Sequence, residues 1–115
     1  MKKECYVAFE EERIREEFNM LKSTNHRLFE HINRAIDVLK ANPFHGKNIE
    51  KKKIPEHYIK KYVVTNLFKY NLPEGMRLIY TVKGSKIGDK PIIISSIIHW
   101  MTHRDYCKMF GYDRD

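Results

Sequence analysis

Hydrophobic and polar positions alternate most clearly between Tyr62 and Val82, where two β-rich runs flank Pro73-Glu74-Gly75. Pro73 presets φ at the start of a turn and Gly75 can adopt the left-handed conformation that closes a three-residue loop. That loop sets the register: Leu72 faces Met76, Asn71 faces Arg77, Tyr70 faces Leu78 and Phe68 faces Tyr80. One face is then apolar, and the other carries Lys69, Asn71 and Arg77 with Ile79. A two-residue loop would set Leu72 against Arg77 and mix the faces.

The remaining pattern supplies partners for this hairpin. Glu4 to Phe9 alternates Cys5, Val7 and Phe9 against Tyr6 and Ala8, which predicts a short first strand. A helix from about Glu10 to Lys22 follows, with an acidic first turn and Ile14, Phe18 and Leu21 on one side. Ser23, Thr24 and Asn25 interrupt it, and a second helix runs from about His26 to Ala41. Asn42, preceding Pro43, is biased away from helix and ends it. Phe44 to Glu56 reads as a loop, Lys83 to Lys90 as a second turn region, and Pro91 to His99 as a central strand covered on both faces. Thr102 to Tyr112 predicts a short helix whose apolar side, Tyr106, Phe110 and Tyr112, docks on the sheet. The expectation is an α+β fold of order β-α-α-β-β-β(-α), with an αα-hairpin packed on one side of a small antiparallel sheet. Residues 1–115 are read as a single domain.

Charge adds a partner class to this fold. The chain has a formal net charge of +7 and a pI near 9.4, which points to nucleic acid or an acidic protein. Its densest positive stretch is Lys51-Lys52-Lys53, with Lys47 just before. Such a run is ordinarily a solvated loop; in a basic chain it also suits phosphate contacts that position RNA without reading it. The basic N-terminus lacks the apolar core of a signal peptide, and no stretch is long enough to span a bilayer. Cys5 and Cys107 do not make a disulfide framework, so a cytoplasmic location is expected.

The segment Asn66-Leu-Phe-Lys-Tyr-Asn-Leu, the Gly75-Met-Arg-Leu-Ile-Tyr80 strand and the His103-Arg-Asp-Tyr106 ending, in this element order, resemble the RelE/ParE superfamily. Its members are the toxins of type II toxin–antitoxin systems. The resemblance implies a small basic toxin bound by an acidic antitoxin in a hetero-oligomer, acting on the ribosome as an endoribonuclease that cuts mRNA. There the 2′-hydroxyl attacks the adjacent phosphate, with no metal or other cofactor. By position it implies that Arg77 stabilises charge on the phosphorane, that Lys69 supports it from the preceding strand, and that Tyr106 or His103 exchanges protons. Preorganised cations suit charge developing on non-bridging oxygens, and His or a cation-flanked Tyr suits proton transfer. Lys47, Lys51, Lys52, Lys53, Asn71 and Arg104 are the expected contacts to RNA or ribosome. Asn71 stands where the best-known relatives carry a second lysine, and His99, Trp100 and Met101 stand where an arginine ends the last strand. Those departures define the alternative: a non-catalytic member that only binds, as a decayed toxin or a ParE-like topoisomerase inhibitor.

Two other constellations weigh less. His99, His103 and Cys107 are spaced four apart, but His99 belongs to a strand and three ligands at one spacing are a weak metal signal. Trp100 could stack a base, although a tryptophan after an apolar strand is more often core.

Overall fold

The computed structural model describes residues 3–62 and 64–112. The first strand, β1 (Glu4–Phe9), leads into α1 (Glu12–Thr24) and α2 (His26–Ala41). One residue joins the two helices. The Asn25 N–H donates to Leu21 O and closes α1, while its Oδ1 accepts from the Leu28 N–H and opens α2. A capping side chain of this kind contributes about 1 kcal/mol. Asn42 ends α2 in extended backbone just before Pro43, as the pattern implied.

The segment expected to be loop is more ordered than the pattern suggested. It holds a two-residue strand, β2 (Lys47–Asn48), a single 3₁₀ turn (Lys51–Lys53) and the helix α3 (Glu56–Tyr62). Tyr62 therefore ends a helix rather than starting the hairpin, and Val63 lies outside the described residues. The hairpin itself is β3 (Phe68–Leu72) and β4 (Met76–Ile87), joined by Pro73-Glu74-Gly75. Its register is the one the loop length required, from Leu72 opposite Met76 to Phe68 opposite Tyr80. Glu74 and Gly75 both take positive φ, +63° and +74°, so the turn uses one residue without glycine's freedom. The expected second turn region is mostly strand: β4 continues to Ile87, turns at Gly88 and Asp89, and returns as β5 (Lys90–Thr102). The last helix is α4 (His103–Phe110).

The sheet runs β1-β5-β4-β3-β2 and is mixed, which corrects the expectation of an antiparallel sheet. β1 pairs parallel with β5, Glu4 opposite Ile92 and Phe9 opposite Ile97, because α1 and α2 carry the chain back across the face. The αα-hairpin lies on one side of the sheet, as expected, and a second layer lies on the other. α1 and α2 cover one face through Ile14, Phe18, Ile32 and Leu39, packed on Phe68, Leu78, Tyr80 and Ile97. The opposite face is not open. Ile79, Ile98 and Met101 lie on it beneath Tyr58 of α3 and Tyr106, Cys107 and Phe110 of α4. A bulge in β5 between the partners of Ile79 and Tyr80 puts Ile98 and Met101, three residues apart, in this same layer, while Ile97 and Trp100 face the other. Helices therefore lie on both sides of the sheet. No helix among the described residues is long and apolar enough to cross a membrane.

Candidate functional site

The second layer leaves a gap where α4 begins, and the strand cations fill its floor. Lys47, Lys69 and Arg77 come from three neighbouring strands: Lys47 lies opposite Lys69, and Arg77 lies two pairs further along, opposite Asn71 and Met101. Lys69 and Arg77 are half-buried, not solvated, because α4 and the β2 loop overhang them. At the end of β5, Thr102 caps α4 by accepting from the Asp105 N–H. That cap sets His103, the first residue of the helix, above Arg77.

The guanidinium is held on two sides. Nη1 donates to Met76 O at 3.0 Å and Nη2 lies 3.0 Å from His103 Nδ1, while Nε is buried with no hydrogen-bond partner among the described residues. Arginine only donates, so His103 Nδ1 accepts and the ring proton sits on Nε2. That nitrogen faces Cys107 Sγ at 3.5 Å, one helical turn along α4. Tyr106, 3% exposed, forms a wall, with Lys69 Nζ 5.2 Å from its ring centroid. Tyr112 stacks nearly parallel on Tyr106, 9° between planes and 5.4 Å between centroids. The resulting pocket holds about 180 Å³ and is lined by Lys47, Asn48, Lys69, His103, Tyr106 and Cys107 with Tyr112. It is smaller than the roughly 300–1,000 Å³ of most small-molecule sites. A phosphate group fits such a space better than a whole nucleotide.

Electrostatics favour an anion there. Among the described residues no carboxylate lies within ion-pair distance of Lys47, Lys69 or Arg77. Burial first, then the charges of Arg77 and Lys47, lower the Lys69 ammonium below its ordinary value. The Tyr106 hydroxyl shifts the other way, pushed up by burial and by Tyr112 beside it. Tyr106 therefore keeps its proton and serves as wall more readily than as proton donor.

Of the four residues expected to be catalytic, Lys69, His103 and Tyr106 line one cleft, and Arg77 lies behind it, against His103 Nδ1. The expected RNA contacts divide. Lys47 lines the cleft, and Asn71 lies exposed on β3 beside it. Lys51 and Lys52 are exposed on the 3₁₀ turn. Lys53 is part of the frame: its Nζ donates to Gly111 O at 3.0 Å and lies 4.4 Å from the Tyr112 ring centroid. Arg104 is exposed on the far flank of α4, beside Lys108. His99 lies apart from His103 and Cys107, in a separate groove with His57 and Met109. Among the described residues no group of three His, Cys, Asp or Glu side chains is placed to hold a metal ion.

Sequence reasoning missed the residues that hold the cleft's rim. The Tyr80 hydroxyl, fully buried, donates to Pro43 O and accepts from the Gly46 N–H, both at 2.9 Å. This stitch pins the β2 loop to the sheet and sets Lys47 across from Lys69. Asn48 has no signal in the pattern, and Tyr112, expected only to dock the last helix, also lines the cleft, because their parts depend on strand β2 and on stacking that no periodicity encodes. No protein-family model, no curated protein and no solved structure matches this chain.

Proposed function

We propose that the chain is a RelE/ParE-like toxin that cleaves messenger RNA on the ribosome, held in check by an acidic antitoxin laid over its cationic face. The observation that carries this reading is the pair Lys69 and Arg77, two cations with no carboxylate partner among the described residues beside a phosphate-sized pocket, with His103 against Arg77. The side chains suffice for in-line transesterification. The scissile phosphate takes the Arg77 fork, which releases His103 Nδ1 to accept the proton of the 2′-hydroxyl. The 2′-oxygen–phosphorus bond forms, the phosphorus–5′-oxygen bond breaks, and Lys69 donates a proton to the departing 5′-oxygen. Its lowered pKa suits it to that donation. Negative charge on the phosphorane is met by cations already in place.

Ribosome-programmed cleavage tests this directly. The expected products are a 2′,3′-cyclic phosphate and a 5′-hydroxyl, and a 2′-deoxy sugar at the cut abolishes them. Arg77→Ala is expected to lower cleavage by a factor on the order of a hundred or more, and Arg77→Lys to restore part of it. Products ending in a 5′-phosphate, or full cleavage by Arg77→Ala, would exclude the mechanism. The burial of Tyr106 favours a second reading, a binding protein that uses the same face without chemistry. Growth inhibition with intact mRNA would select it.

A further inference from the structure

The cleft does not end at Lys69. β2 covers only Phe68 and Lys69 of β3, so the outer edge of β3 is open from Tyr70 to Leu72. Around that edge the pocket adjoins two further depressions. Lys47 and Lys69 belong to both the pocket and the middle depression, which adds His45. Tyr70 and Asn71 belong to both the middle and the last, which ends on His31 and Arg34 of α2. The surface thus turns from one sheet face to the other, since Lys69 and Tyr70 point to opposite sides of β3. Halfway along, the His45 ring packs against Tyr70, centroids 5.4 Å apart at 33°. At the far end His31 and Arg34 are one helical turn apart on α2, flanking the buried positions Ile32 and Ala35. Among the described residues neither they nor His45 has a carboxylate within ion-pair distance.

Cations at both ends with rings between them match the composition of single-strand nucleic-acid grooves, where a charged path follows the backbone and aromatic faces take bases. We propose that this track seats the nucleotides flanking the cleavage site: a single RNA strand leaves the Lys69–His103 pocket past Lys47, stacks a base at His45 and Tyr70, and sets a phosphate against Arg34. The proposal rests on the RNA-cleavage reading and extends it from one phosphate to a strand. A duplex is too stiff to turn around the edge of β3 over this distance. An acidic peptide would satisfy the charges but would leave the rings between them without a stacking partner.

Fluorescence anisotropy with uncleavable 2′-O-methyl strands, a trinucleotide and one of about ten nucleotides, tests the track. The longer strand is expected to bind more tightly to the wild type. Arg34 is exposed, so Arg34→Ala folds, which a thermal melt verifies. It is expected to weaken the longer strand about two- to fivefold, to leave the trinucleotide unchanged, and to flatten the salt dependence of log K by about 0.7. Arg34→Lys should restore most of this. Arg77→Ala should weaken both strands. An Arg34→Ala protein that binds the longer strand normally overturns the track while the pocket reading stands. Insensitivity of both strands to Arg77→Ala overturns the pocket reading, and if neither strand binds the wild type both fall. Loss of polyglutamate binding by Arg34→Ala, with RNA binding intact, assigns the surface to an acidic protein instead.

Discussion

Lys69 shows how a site residue works against the stability of its own fold. Its ammonium is half-buried beside Arg77 and across from Lys47, and these surroundings lower its pKa below the unfolded value of 10.5. The unfolded chain therefore binds the Lys69 proton more tightly, and below the folded-state pKa the charge subtracts from stability. Stability attributable to this group rises as pH climbs through the folded pKa towards 10.5 and is level above that. Lys69→Met keeps a long apolar stem and removes the charge that lies over the Tyr106 ring. It should melt higher than the wild type at pH 7, lose that advantage as the pH approaches 10.5, and fail to cleave RNA. A lower melting temperature at pH 7 would show that the ammonium supports the fold. Arg77 carries a cost of another kind: among the described residues its buried Nε has no hydrogen-bond partner, and a buried donor left unpaired subtracts from stability.

Among the elements, the β2 loop decides whether the cations meet. A Cβ added at Gly46 would lie 2.6 Å from Lys69 O and 2.6 Å from the Tyr80 hydroxyl. One contact is backbone and the other a buried ring, so neither yields cheaply. Gly46→Ala should cost about 1–3 kcal/mol by chemical denaturation and lower RNA cleavage further than that loss explains, because Lys47 moves from its place opposite Lys69. Unchanged cleavage would show that the loop's position is immaterial. The β3–β4 hairpin was legible in the sequence because Pro73, Glu74 and Gly75 set its register locally, and the helix boundary at Asn42–Pro43 was legible for the same reason. Convergence of Lys69, Arg77, His103 and Tyr106 followed from that register once α4 crossed the face. What the pattern hid is long-range. α3 reads as a charged loop because its helical side is mostly solvated, with Tyr58 its one buried residue. The second layer was legible only in part. Pro91 to His99 reads as a strand covered on both faces, but Ile79 alone does not mark its side of β4 as buried, and Ile98 shares that side with Met101 only through a bulge.

For the whole molecule, one sheet serves two cores. Leu78 and Ile79 are consecutive on β4, each fully buried, and face opposite layers. Leu78→Ala and Ile79→Ala should each cost about 2–5 kcal/mol. Both should lower a single transition, with far-ultraviolet circular dichroism and Trp100 fluorescence coinciding, because neither layer retains a sheet without the other. Two separated transitions would mean that the layers melt independently. The parallel pairing of β1 with β5 also imposes an order on biosynthesis. Phe9 waits for Ile97 before its strand has a neighbour, and the pocket waits longer, for His103 and Tyr106 on α4. Such distant pairing makes closure a late event in folding. A nascent chain displays Lys69 and Arg77 before any wall encloses them. On the proposed reading, a growing toxin is harmless to the ribosome that is translating it.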